Sequence, residues 1–120
     1  MLPTKPRILC VDNDEDNRFM LTYLLIQEGY RAKGVKTLEQ AFELAQAESF
    51  DLYILESKLS DGSGIDLCLK IRESDARTPI VFYSGVAREI DQEEALRAGA
   101  NAFVAKPYVE QLLETVRRMI

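Results

Sequence analysis

Five short apolar runs, each followed by a stretch of helical spacing, constrain this chain more than any other feature. The runs are Arg7-Ile8-Leu9-Cys10-Val11, Tyr30 to Val35, Phe50-Asp51-Leu52-Tyr53-Ile54-Leu55, Ile80-Val81-Phe82-Tyr83-Ser84 and Asn101 to Ala105. The third and fourth are nearly all apolar, as strands covered on both faces must be. The second is more polar and reads as an edge strand. Between the strands, Asp16 to Glu28 sets Met20, Leu21, Leu24 and Leu25 at helical spacing and stops at Gly29. Thr37-Leu38-Glu39-Gln40 has the form of a capping box and opens a helix with Leu38, Ala41, Phe42 and Ala45 inward. Asp61-Gly62-Ser63-Gly64 is turn chemistry leading into a helix with Ile65, Leu67, Cys68, Leu69 and Ile71, ended by Thr78-Pro79. Glu89 to Ala98 reads as a helix stopped by Gly99, and Val109 to Ile120 as a last one with Val109, Leu112, Leu113 and Val116 on one face. Five βα units with short connections predict an α/β domain, a doubly wound five-stranded parallel sheet with five helices. At 120 residues, without linker or low-complexity sequence, residues 1–120 read as one domain.

Composition narrows the chemistry. The chain has no histidine, which excludes Ser-His and Cys-His nucleophiles and argues against zinc. Its net charge of −5 lacks the basic footprint of a nucleic-acid binder. No run has the length of a membrane span, and Met1 to Pro6 lacks the apolar core of a signal peptide. Cys10 and Cys68 fit no metal or redox spacing and read as small core residues of a reduced protein. The expectation is a cytoplasmic domain without membrane or direct nucleic-acid contact.

The residues that end the strands form a set. Asp12 ends the first, Glu56 the third, Ser84 the fourth and Lys106 the fifth. Glu56 alone would be an ordinary loop acid, but strand ends in such a sheet converge on one crevice, where strand order reverses. Two carboxylates, a hydroxyl and an ammonium gathered there suit phosphoryl chemistry. The carboxylates hold a divalent cation or accept the group, while the hydroxyl and lysine bind its oxygens.

At these positions the chain resembles the receiver domain of bacterial two-component response regulators. The motifs are Ile8-Leu9-Cys10-Val11-Asp12, Leu59-Ser60-Asp61-Gly62-Ser63-Gly64, Pro79 to Gly85, and Ala98 to Pro107. The resemblance implies strand order 2-1-3-4-5, a flavodoxin-like fold, a phosphoacceptor at the end of strand three and a Mg²⁺ site beside it. It also implies phosphoryl contacts from Ser84 and Lys106, a switching aromatic at Phe103, and a cis bond at Lys106-Pro107.

Two departures fall on the chemistry. Where the family has an aspartate as phosphoacceptor, this sequence has Glu56, and where it has a second adjacent acid, this sequence has Asn13 after Asp12. Asp14 follows one place later. With Asn13 neutral, the metal positions Asp12, Asn13 and Glu56 carry less charge, and hard cations bind more weakly as ligand charge falls. Weak or absent Mg²⁺ binding is therefore expected. Lys58 reads equally as a second ammonium for the site or as a solvated loop lysine. Glutamate is one methylene longer than aspartate, about 1.5 Å, which carries its carboxylate toward Ser84 and Lys106. The expectation is a non-enzymatic pseudo-receiver in which Glu56 pairs with Lys106 and partly imitates the phosphorylated state.

Other readings stand beside it. A working receiver would be phosphorylated on Glu56 or on a nearby acid such as Asp61. Asp12-Asn13-Asp14 also matches the strand-end motif of haloacid-dehalogenase-like phosphatases, with Asp12 as nucleophile and Asp14 as general acid. Against that stand Glu15 in place of Thr or Val, and no late acidic pair for metal. A flavin binder fits poorly because the loop after the first strand is acidic. The resemblance implies a protein partner such as a sensor kinase, a phosphotransfer protein or an output domain. It places docking or weak dimerisation on the face of helix four, strand five and helix five, where Ala102 lacks the acid of the charge-paired dimers. No output domain is expected within these 120 residues, whether the chain stands alone or belongs to a longer protein.

Overall fold

The structure is a computed structural model that describes residues 4–120. Its elements are β1 (Arg7–Val11), α1 (Glu15–Gln27), β2 (Arg31–Val35), α2 (Leu38–Ala47), β3 (Leu52–Leu55), β4 (Lys58–Leu59), β5 (Gly62–Ser63), α3 (Gly64–Ser74), β6 (Ile80–Ser84), α4 (Glu89–Arg97), β7 (Ala102–Ala105) and α5 (Val109–Met119). The main sheet runs β2-β1-β3-β6-β7, with every neighbouring pair parallel. Counted along the chain without the small β4–β5 ribbon, this is the order 2-1-3-4-5 of a flavodoxin-like sheet. The polar strand β2 is an edge, where one flank of the backbone is left unpaired.

Alternating side chains divide the core into two layers. Leu9, Val11, Tyr53, Leu55, Ile80 and Phe82 face α2, α3 and α4, where they meet Ala41, Leu67, Ile71 and Ala95. Ile8, Cys10, Leu52, Ile54, Val81, Tyr83 and Val104 face α1 and α5, where they meet Leu21, Leu25, Leu112 and Val116. The central strands are buried throughout, which is why their sequences are apolar without alternation.

Three local expectations are corrected. Met20 and Leu69 do not join the core; they are 37% and 49% exposed. Each helix packs on one side only, so its buried stripe ends at Leu21 and Leu25 in α1, and at Leu67, Cys68 and Ile71 in α3. At α2, Thr37 Oγ1 accepts from the Gln40 amide at 3.1 Å, but Gln40 Oε1 accepts from the Lys36 amide rather than from Thr37. The vacant amides of Leu38 and Glu39 donate instead to the Asp61 carboxylate, at 2.8 and 3.0 Å. Residues 57–64 are more than a turn: Lys58 pairs with Ser63 and Leu59 with Gly62 in an antiparallel ribbon. Among the described residues no helix is long and apolar enough to cross a membrane.

Candidate functional site

Strand register assembles the site. Val11 pairs with Leu55, so Asp12 and Glu56 leave neighbouring strands side by side, and the Glu56 amide donates to Val11 O at 2.9 Å. Ser84 pairs with Ala105, and the Lys106 amide donates to Ser84 O at 2.9 Å. The order reverses between β1 and β3, since β1 is followed outward by β2 while β3 lies on its other flank. All four strand-end residues therefore meet at the C-terminal edge of the sheet, where this topology opens a crevice.

Lys106 holds the centre. Its Nζ lies 2.6 Å from Glu56 Oε2 and 2.9 Å from Asp12 Oδ2. The carboxylates are nearly buried, and the lysine side chain is 21% exposed. The remaining acceptor capacity is also engaged. Asp12 Oδ1 accepts from the Asp14 amide at 2.9 Å, and Oδ2 from Asn17 Nδ2 at 2.6 Å. Glu56 Oε1 accepts from the Ser57 amide at 2.6 Å. Burial pulls the Lys106 ammonium down, but its hydrogen bonds and charge attraction to Glu56 and Asp12 outweigh this and hold its pKa above the ordinary lysine value. The Tyr83 ring lies 5.9 Å from Nζ.

The other strand-end positions surround this triad. Ser84 is fully buried, and its Oγ accepts from the Val86 amide at 3.1 Å. Phe103, half-buried on β7, stacks on Phe82 with centroids 5.9 Å apart and planes 4° apart. The Lys106–Pro107 bond is cis. Asn13 and Asp14 are exposed. Lys58 is exposed on β4 and makes no ion pair among the described residues. It lines a cavity of about 370 Å³ between the ribbon and α4, with Arg88, Asp91 and Glu94. Asp61 is committed to the α2 N-terminus, whose Leu38 and Glu39 amides hold its carboxyl below the usual range.

Two contributors escaped the sequence reading. Asn17 clamps Asp12, and Arg18 Nη1 donates to the Asp12 carbonyl at 2.8 Å. Both lie on the first turn of α1 as it leaves the Asp12 loop, and their polarity there was indistinguishable from that of any helix start.

Asp12 and Glu56 are the two carboxylates this crevice could offer a divalent cation, and both are engaged by Lys106. Among the described residues no three His, Cys, Asp or Glu side chains are grouped to ligate a metal. Mg²⁺ requires near-octahedral oxygen ligation, whereas the point shared by Asp12 and Glu56 is held by the Lys106 ammonium.

A five-stranded parallel sheet with an acid, a hydroxyl and a lysine at its strand ends defines a receiver-type signalling module, and the comparisons name the family. The response regulator receiver domain model matches residues 8–117; the chain belongs to that family. It is 36% identical over 107 residues to the uncharacterized transcriptional regulatory protein YrkP of Bacillus subtilis (strain 168), covering 89% of this chain and 46% of that one. Among solved structures, the non-phosphorylated HemR receiver domain of Leptospira biflexa is 33% identical with a TM-score of 0.89, covering 96% of this chain and 94% of that one. A two-component response regulator from Clostridium difficile is 31% identical with a TM-score of 0.91, covering 96% and 95%. The chain spans less than half the length of the curated relatives it matches.

Proposed function

We propose that this domain is a pseudo-receiver, a two-component signalling module that works by protein–protein interaction without the usual phosphorylation. The observation that carries the reading is the Lys106 ammonium clasped between Glu56 and Asp12 at 2.6 and 2.9 Å. The Glu56 carboxylate, one methylene beyond an aspartate's, meets the lysine, which in the family contacts the phosphoryl group. Both carboxylates are then neutralised in part by a built-in cation, and Asn13 supplies no replacement acid. Mg²⁺ binding is weak or absent in this reading, and the module catalyses nothing.

The surface supports an interaction role. Phe19, Tyr23 and Ile26 are 73%, 55% and 54% exposed along one side of α1, with Met20 beside them. Three aromatic or branched residues at i, i+4 and i+7 form a contiguous apolar strip, the kind of patch that marks protein contacts. A second, looser group, Ile90, Leu96 and Tyr108, is exposed around α4 and the start of α5. The partner is a cytoplasmic sensor kinase, phosphotransfer protein or output domain, and the domain is a monomer or a weak dimer.

Incubation with Mg²⁺ and acetyl phosphate, followed by intact mass and peptide mapping, tests the reading. The expected result is no adduct on the natural chain and an adduct on the Glu56→Asp/Asn13→Asp variant. Stoichiometric phosphoryl transfer to Glu56 in the natural chain would overturn it.

A further inference from the structure

At the opposite end of the sheet from the triad, the register of β1 and β2 creates a second concentration of charge. Arg7 pairs directly with Arg31, and Leu9 with Lys33. Side chains two apart share a face, so Arg7, Arg31 and Lys33 stand together on the α2 side of the sheet edge. Like charges placed directly across a strand pair repel, and the pairing needs an anion to offset it. The chain provides two carboxylates there: Glu48, just past α2, is paired with both Arg7 and Lys33, and Asp51 Oδ2 accepts from the Arg7 amide at 2.7 Å. These two cations hold the Glu48 carboxyl below its usual range, the Arg7 hydrogen bond contributing most. Arg31 makes no ion pair among the described residues. Three cations against the carboxylates of Glu48 and Asp51 leave the cluster one positive charge in excess, within a chain whose net charge is −5.

Arg7, Arg31, Lys33 and Glu48 line a cavity of about 250 Å³ with Phe50 on its apolar side. Arg7 is held ready within it. Its guanidinium lies 4.9 Å from the centre of the Phe50 ring, and Nη1 donates to Ser49 O at 2.8 Å. A guanidinium presents five donors in a fixed fork that matches phosphate oxygens. Arg31 brings its fork to the same cavity uncommitted, and Lys33 adds a point charge. The volume corresponds to roughly eight water molecules at about 30 Å³ each, enough for two linked phosphate groups.

We propose that this cavity is a binding site for a multiply charged phosphate-type oxyanion, held by Arg31 and Lys33 with Arg7 as the fixed wall. It is separate from the phosphoryl crevice and does not depend on the pseudo-receiver reading. The ligand chemistry is shared by free polyphosphate and by the diphosphate of a small nucleotide, so both are tested.

Isothermal titration with sodium pyrophosphate and, separately, with ADP is carried out without Mg²⁺ at constant ionic strength, on the full 120-residue chain. The expected result is saturable binding that weakens roughly tenfold or more in Arg31→Gln, the loss of one charge-assisted contact. Lys33→Gln should weaken it as well, whereas Arg97→Gln, on α4, should leave it unchanged. Equal affinity for the two probes assigns recognition to the phosphates; tighter ADP binding adds the nucleoside to the site. No saturable binding of either probe up to 10 mM (roughly −2.7 kcal/mol on the affinity scale) overturns the proposal. Binding that falls equally in all three variants also overturns it, because that is non-specific charge.

Discussion

Replacing Lys106 with methionine removes the central charge of the triad while keeping a side chain of similar length and volume. What remains is a pair of carboxylates, on residues only 3% and 8% exposed, that have lost contacts of 2.9 and 2.6 Å. Removing one partner of a fully buried ion pair costs about 3–5 kcal/mol, because the other charge is left desolvated and unpaired. The Lys106 side chain is 21% exposed, so solvent screens part of that loss, and about 2–3 kcal/mol is the expected figure. With a urea m-value of about 1–3 kcal/mol/M, the midpoint should fall by roughly 0.7–3 M in urea denaturation followed by circular dichroism at pH 7. The Glu56→Met/Lys106→Met double variant leaves only Asp12, which still accepts from Asn17 and from the Asp14 amide. It should recover about 1 kcal/mol or more relative to Lys106→Met, within the usual range of coupling between contacting residues. A Lys106→Met protein within about 0.5 kcal/mol of the natural one, the size of an inert surface substitution, would refute the reasoning. So would a strictly additive cycle.

The same triad sets an alkaline limit. Lys106 binds its proton more tightly folded than unfolded, so its contribution is complete below the ordinary lysine value of 10.5 and is lost as pH rises through the higher folded value. The stability gap between the natural protein and Lys106→Met should therefore narrow above about pH 10.5, and a constant gap would contradict the pairing. Buried Tyr53, whose pKa burial also raises, lowers stability in the same alkaline range in both proteins and cancels in the difference, whereas Tyr83, whose burial-raised pKa is lowered in part by Lys106, does not, so the comparison is made in a Tyr83→Phe background. At Gly64, a Cβ would fall onto the Glu56 carbonyl oxygen and within 2.8 Å of Phe82 Cε2. Because the first obstacle is backbone, Gly64→Ala should cost about 1–3 kcal/mol by overpacking, seen as a lowered Tm, and an unchanged Tm would show that the ribbon yields freely.

Particular residues show how far the sequence could be read. The apolar runs of β3 and β6 made the parallel sheet legible, because burial on both faces leaves a composition that few other structures require. The strand-end positions of Asp12, Glu56, Ser84 and Lys106 were legible for the same reason: once the strands are placed, topology dictates where they end. Met20 and Leu69 were misplaced because helical spacing marks which residues lie near one another, without showing how wide a stripe the sheet covers. Asn17 and Arg18 were missed because a polar residue on the first turn of a helix looks alike whether it clamps an acid or faces water.

Sequence alone thus determined the sheet, its five βα units and the four residues at its C-terminal edge, since each follows from local patterns of burial and turn chemistry. It also raised the conflict at Glu56 and Asn13, which lies in residue identity and needs no coordinates. Tertiary structure decided which charges meet. Asp12 and Lys106 are 94 positions apart and come within 2.9 Å only through the register of four strands. Other tertiary contacts, with no nearby sequence signal, send Lys58 to the α4 side through the small ribbon, commit Asp61 to α2 and set Arg7 against Arg31 across β1 and β2. Local sequence encodes which strands are buried, but an ion pair requires nitrogen and oxygen within about 4 Å, and only the folded chain sets distances on that scale.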